Sequence, residues 1–267
     1  MMPKRTGAMT ADRLYYEDPR LWLHERYETE AERRRLQQVA RRIPSDTYTI
    51  LDVGAGNGAF ISLLEETTDL HVTGLEPSLA ARAAAVCRSK IVDGSADDLP
   101  FPDRSFDVVT ALEVLEHLPF SVYERALSEL ARVATTHVIV SVPYRERRLL
   151  VSCPYCGCRF HPFYHMRSFT RPSLASMVPG FDLEGVDLVH VDDKFGAALL
   201  RRLVRGLLPG TPPPASACPQ CGKRGSAETA SPTPRLGARR VVMRRLWAIL
   251  PTQRRPKWAV ARYRRRV

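Results

Sequence analysis

The sequence predicts an α/β fold built around a largely parallel sheet, and three observations carry that reading. Segments of helical and of strand periodicity alternate along most of the chain. The apolar run Thr49–Val53 ends in Gly54-Ala55-Gly56-Asn57-Gly58 and passes into a helical pattern, which describes a strand, a tight turn and a helix N-terminus. A second apolar run ends in Gly74-Leu75-Glu76-Pro77, placing an acid at the end of the next strand.

Each element follows from its local pattern. Residues 28–42 read as a charged helix leading in, and residues 49–53, 71–75, 91–93, 106–112 and 137–142 as five strands. Residues 173–178 suggest a short helix, and residues 181–191 an extended antiparallel strand. Residues 257–264, with Trp258, Val260 and Tyr263 among polar residues, fit a last strand. The implied organisation is a helical lead-in at 1–46, a core at 47–191, an insertion at 192–255 and a final strand with a basic tail at 256–267. A chain of 267 residues can bury a sizeable core, most simply as one domain with insertions.

The glycine loop indicates a nucleotide cradle. A turn this tight needs backbone approaches that a Cβ obstructs, while the helix start offers unpaired N–H groups to a ligand. Glu76 then stands where a carboxylate can accept both hydroxyls of a ribose. Gly54-x-Gly56-x-x-Ala59 with an acid about 20 residues on also satisfies the dinucleotide fingerprint, so a nicotinamide enzyme is the first rival.

Three further blocks separate the two: Gly94-Ser95-Ala96-Asp97-Asp98, then Ser105-Phe106-Asp107-Val108-Val109, then Glu113-Val114-Leu115-Glu116-His117. With these the chain resembles class I S-adenosylmethionine-dependent methyltransferases, particularly small-molecule enzymes like those of quinone biosynthesis, over roughly residues 48 to 191. The resemblance implies a Rossmann-like seven-stranded sheet with helices on both faces, and S-adenosylmethionine as cofactor. It implies that Asp52 orients the loop or, through water, the cofactor's amino group, that Gly54, Ala55, Gly56 and Gly58 make room for the methionine part, and that Glu76 takes the ribose hydroxyls. Ser95 and Ala96 stand where the family usually has Asp-Ala at the adenine. Ser95 departs from that pattern, and either its hydroxyl or Asp97 would take the adenine amino group. Glu113 counts among the cofactor contacts.

Methyl transfer is an in-line displacement, so the protein mainly aligns two groups and removes a proton where needed. His117 is a candidate general base. Glu113, Glu116 and His117 also reproduce the Glu-x-x-Glu-His pattern of a candidate divalent-metal site in the quinone enzymes, and their spacing would put all three on one helix face. The plainer reading is that Glu116 and His117 cap or stiffen the helix after the strand.

Cys153-Pro154-Tyr155-Cys156-Gly157 and Cys218-Pro219-Gln220-Cys221-Gly222 form a second strong signal. Two Cys-x-x-Cys knuckles, each followed by Gly, suit one tetrahedral zinc of structural type, provided that the two loops meet in space. Cys158, His161 and His165 follow the first knuckle closely and could replace a ligand; the two histidines could instead face the acceptor pocket or, as the plainer reading, pack under the knuckle loop, while Cys87 reads as core. Disulfides should not persist in a reducing compartment.

The net charge is +11, yet residues 229–267 hold 12 of the 40 Lys and Arg and none of the 29 Asp and Glu. The excess charge therefore sits in the tail. Phe195, Leu199, Leu203 and Leu207 recur at helical spacing with arginines between them, and Val242, Met243, Leu246, Trp247 and Leu250 do likewise. Such basic amphipathic segments suit a lid, an anionic membrane surface or, less well, nucleic acid. The N-terminus lacks the apolar core of a signal peptide and no long apolar run is present, so a cytoplasmic enzyme is expected, with peripheral contact at a membrane surface as an option. The absence of a Pro-Pro-Tyr segment after the fourth strand argues against methylation of flipped bases. The expected reaction is O-methylation of a small molecule, or of a saccharide or lipid-linked glycan, the glycan resting on a looser resemblance to bacterial methyltransferases with paired Cys knuckles. An RNA methyltransferase and a non-catalytic cofactor-binding adaptor are the alternatives.

Overall fold

The computed structural model describes residues 15–23, 29–147, 150–194, 216–224 and 251–267. In chain order the elements are α1 (Glu30–Ala40), β1 (Thr49–Val53), α2 (Ala59–Thr67), β2 (His71–Leu75), α3 (Leu79–Ala83), β3 (Ile91–Val92), β4 (Phe106–Leu112), α4 (Phe120–Val133), β5 (Ala134–Pro143), β6 (Val151–Ser152), β7 (Arg159–Phe160), α5 (Arg171–Leu174), β8 (Phe181–Lys194) and β9 (Thr252–Arg265). By contact density the chain divides into two compact units. One comprises Met1–Asp18, Leu149–Tyr164 and Asp192–Gln253, and the other Pro19–Arg148, His165–Val191 and Arg254–Val267.

The larger unit is a seven-stranded sheet in the order β3-β2-β1-β4-β5-β9-β8. Strands β1 to β5 pair in parallel, and β9 runs antiparallel to β5 with Val138 opposite Tyr263 and Ser141 opposite Val260. The first five positions match a dinucleotide-binding sheet, whose order continues 3-2-1-4-5-6. The late strand β9 breaks that series by entering between β5 and β8. What stays common is the switch point between β1 and β4, where ligands of open α/β sheets bind at the carboxyl ends of the strands.

Both sheet faces are covered, as successive strand residues show. Leu51, Val53, Val109 and Val140 pack with Leu127 and Leu130 of α4, whereas Ile50, Val108 and Ile139 pack with Leu36 and Val39 of α1 and with Phe60 and Leu64 of α2. Alternation of this kind, apolar on both faces, is what a buried parallel sheet requires. Asp107 fixes the register at the other end, its carboxylate accepting the N–H groups of Tyr48 and Thr49 at 2.9 and 2.8 Å.

Some boundaries differ from the sequence reading. Helix α1 starts at Glu30 because Thr29 caps it, accepting the Glu32 N–H at 3.3 Å. The short helix covers Arg171–Leu174 instead of 173–178, since Thr170 and Ser173 form a capping box two residues earlier. Strand β8 runs on to Lys194 and β9 begins at Thr252, so the insertion lies inside 195–251; the polar start of β9, Thr252 to Pro256, lacks the apolar alternation that marks a strand. The two basic amphipathic segments predicted at 195–207 and 242–250 lie outside the described residues. No helix of the described residues is long and apolar enough to cross a membrane.

Candidate functional site

The predicted cradle assembles at the carboxyl ends of β1 and β2. Gly54, Gly56 and Gly58 all have positive φ, and at Gly58, which opens α2, an added Cβ would lie 2.4 Å from the Cys87 sulfur. The N–H groups of Gly54 and Ala55 donate to the Leu75 carbonyl at 2.7 and 3.0 Å, which lashes the loop to the end of β2. There Glu76 is 5% exposed, and its carboxylate accepts the N–H of Gly56 at 2.9 Å and of Ser78 at 2.8 Å. Those two bonds fix its orientation beside the loop. Trp22, which the sequence reading passed over, packs on the same loop, its ring edge 2.8 Å from where a Gly56 Cβ would stand.

Asp52 is 2% exposed and accepts the Thr110 hydroxyl at 2.6 Å. Burial pushes its carboxyl up to about 7, against the opposing pull of Thr110 and of the Arg35 charge. It therefore braces the root of the loop from inside the sheet. Beyond β3, Ala96 is buried, and Asp97 accepts from the Ser95 hydroxyl and from Arg125 of α4. Burial raises the Asp97 carboxyl, but these bonds outweigh it and hold it below the ordinary value.

After β4 the structure corrects the sequence reading. Glu113, Glu116 and His117 do not share a helix face, because residues 113–118 form a turn and α4 starts only at Phe120. Glu113 sits at φ 56°, in the left-handed region, and Pro119 disfavours helix in the residue before it. The Glu113 carboxylate turns into the sheet instead, accepting from Trp258 Nε1 at 2.7 Å and from the Ser141 hydroxyl at 3.1 Å. Buried Arg35 extends this network, donating to Ser141 at 3.3 Å and pairing with Glu32 at 2.8 Å. Glu113 is thus removed from the metal set proposed with Glu116 and His117.

Glu116 and His117 meet a different partner. His117 Nε2 lies 3.8 Å from Glu116, and the His117 and His165 rings meet edge to face with centroids 4.7 Å apart. Glu116, His117 and His165 each bring one ligand-type atom within 4.8 Å of the others. His165 Nδ1 in turn lies 2.5 Å from the Glu146 carboxylate. Burial first, then the like charge of Glu113, pushes the Glu116 carboxyl well above the ordinary carboxylate range. The sequence leaves His165 between the acceptor pocket and the knuckles; that it meets His117, 48 residues earlier, comes from the fold alone.

In the smaller unit the two knuckles meet. The Cys153, Cys156, Cys218 and Cys221 sulfurs lie within 4.8 Å of one another, with Cys153–Cys221 at 3.7 Å and Cys156–Cys218 at 3.5 Å. These exceed a disulfide bond and approach the roughly 3.8 Å edge of a tetrahedron with metal–sulfur bonds of about 2.3 Å. The knuckles are built alike: Cys153 and Cys218 donate their N–H to the carbonyls of Cys158 and Lys223, and Gly157 and Gly222, both at positive φ, donate back to Cys153 and Cys218. Burial raises the Cys218 thiol, but the N–H groups of Cys221 and Gln220 outweigh it and bring it to about 6, favouring a thiolate. Cys158 stays outside the four-sulfur group. Buried His161 accepts the Phe163 N–H at 3.3 Å.

Comparison with known proteins agrees with the fold. Residues 51–140 match a family model described as a methyltransferase domain. The chain is 34% identical over 93 residues to the methyltransferase YcgJ of Bacillus subtilis, covering 32% of this chain and 36% of YcgJ. It is 34% identical over 128 residues to the O-methyltransferase resE of Aspergillus sclerotiorum, covering 45% and 47%. The chain thus spans less than half the length of these relatives. Among solved structures, an S-adenosylmethionine-dependent methyltransferase of Archaeoglobus fulgidus superposes with a TM-score of 0.52 at 14% identity, covering 93% of this chain and all of that one. The [4+2]-cyclase SpnF also superposes, with a TM-score of 0.52 at 20% identity over 88% and 80% of the two chains. The fold is that of Rossmann-like class I methyltransferases, and SpnF shows that this fold also appears under the name of a cyclase.

Proposed function

We propose that this chain, built on the methyltransferase domain at residues 51–140, is an S-adenosylmethionine-dependent methyltransferase that acts on an oxygen of a small molecule. The observation that carries the reading is Glu76, fixed by two backbone N–H groups beside the glycine loop at the end of β2. A carboxylate there suits a ribose diol, and the loop glycines let Val114, Trp22 and Cys87 pack against the turn where a Cβ would otherwise stand. Gly54, Gly56 and Glu76 would hold the methionine and ribose parts, with Ala96 and the Ser95–Asp97 pair at the base. The cofactor would supply an activated methyl group. The residues of the chain would then bind and orient it, and the turn after β4, with Glu116 and His117, would face the acceptor.

The oxygen acceptor is supported by the O-methyltransferase relative, and by a site whose donors are imidazole and carboxylate. The four-sulfur group fits a structural zinc: a closed set of four thiolates would leave no position for a substrate, so that metal would hold the two knuckles together and take no part in transfer.

Calorimetric titration of the purified protein with S-adenosylmethionine and with NAD, alongside Glu76→Ala, tests this reading. Binding of S-adenosylmethionine that Glu76→Ala weakens at least tenfold is the expected result, followed by turnover in a screen of phenols and glycans. A preference for NAD, or equal binding by the variant, would overturn it.

A further inference from the structure

Glu116 is a carboxylate with 0% exposure, and among the described residues neither of its oxygens has a hydrogen-bond partner. Desolvating such a group without compensation is costly, and interiors resolve it by a paired charge, a proton or a bound cation. Neither nearby guanidinium donates to it: Arg35 is bound to Glu32 and Ser141, and Arg167 gives Nη1 to the carbonyls of Leu115 and Leu118 at 2.6 and 2.7 Å while its Nη2 has no hydrogen-bond partner among the described residues. What Glu116 does face is a pair of imidazoles, His117 and His165, with ligand-type atoms within 4.8 Å.

The imidazole of His165 is oriented from behind. Glu146 is a carboxylate and accepts, so Nδ1 carries the proton and Nε2 presents the lone pair. A carboxylate behind a histidine in this way is the usual support of a metal-bound imidazole, fixing its tautomer and raising its basicity. Met166 strengthens the arrangement by donating its N–H to the Glu116 carbonyl at 2.7 Å, which ties the segment bearing His165 to the turn bearing Glu116 and His117.

We propose that Glu116, His117 and His165 form a second metal site, for a divalent first-row cation, chemically distinct from the four-thiol group. Two imidazoles and one carboxylate are a donor set for zinc, iron, cobalt or manganese, and three protein ligands leave coordination positions for oxygen ligands. The site stands on the side of β4 assigned above to the acceptor, and on that reading the cation receives the acceptor's oxygen, with His117 a ligand and not a base. Its existence does not depend on that reading.

Optical titration of the metal-free, full-length protein with Co2+ tests the proposal. Two equivalents are expected: one with an intense thiolate-to-cobalt charge-transfer band from the four cysteines, and one with weaker ligand-field bands alone. Glu116→Gln, which keeps the side-chain volume and removes the buried charge, should abolish the second equivalent and keep the first. Glu146→Gln should weaken the second equivalent about 10- to 100-fold without abolishing it. Saturation of the native protein at one equivalent, or a second equivalent that persists in Glu116→Gln, would overturn the site. Because S-adenosylmethionine is absent from the titration, failure of the cofactor reading would leave this result unchanged.

Discussion

At Asp52 the folded chain holds a carboxyl at about 7, whereas the ordinary value is 3.8. Folding therefore binds a proton across that interval. The resulting stability is fully present below the lower value and is lost as pH rises through about 7, by up to about 4 kcal/mol at 1.36 kcal/mol per tenfold change. Asp52→Asn, whose amide oxygen can still accept from Thr110, should flatten the pH dependence of urea midpoints across that window; an unchanged slope would assign the proton elsewhere. Gly58→Ala should cost about 1–3 kcal/mol in the same measurement, since left-handed backbone and the Cys87 sulfur both oppose a Cβ there. Residues such as these were legible from the chain because their requirement is local: a glycine turn and the acid closing the next strand advertise themselves within a few positions. Trp22, Arg35 and Arg125 were not, because each acts on residues that only the fold brings near, and the sequence marks His165 as a candidate without its partner His117.

The elements divide in the same way. β1, β2 and β4 have the limits read from the sequence, since buried strands between polar turns are marked at both ends. The segment after β4 misled, because a helical spacing of Glu113, Glu116 and His117 is only a pattern until the backbone obeys it, and a left-handed residue and a proline forbid that here. The polar half of β9 was invisible for the opposite reason: it continues a strand whose place is set by the sheet and not by its own residues, and β5 meets only Trp258 to Arg264. Trp258→Phe probes this strand's internal contact. It removes one donor from the buried Glu113 carboxylate while leaving an aromatic ring, and thermal or chemical denaturation should show a loss of about 1–3 kcal/mol. A neutral result would mean that Glu113 is neutral or finds another donor.

At the scale of the whole molecule, the two units rest on different physics. The sheet unit owes its stability to apolar layers on both faces, whereas the described part of the smaller unit has little regular structure and a core made largely of its own cysteines with Val151 and Phe160. Chelation should therefore raise amide hydrogen exchange at 150–164 and 216–224 and leave β1, β4 and β5 protected, since metal binding and folding are one process in such modules. Equal exchange with and without chelator would remove the metal from the account of that unit. The position of β9 has a further consequence, for synthesis. A ribosome making this chain completes β5 and β8 well before β9 exists, and β9 belongs between them. Until residue 265 has emerged, β5 lacks its antiparallel neighbour and its row of backbone groups is open to any passing strand. The nascent protein is thus sticky along one line until its final strand arrives, and chains cut short before 252 should be found in aggregates or with chaperones, however well their first five strands have formed.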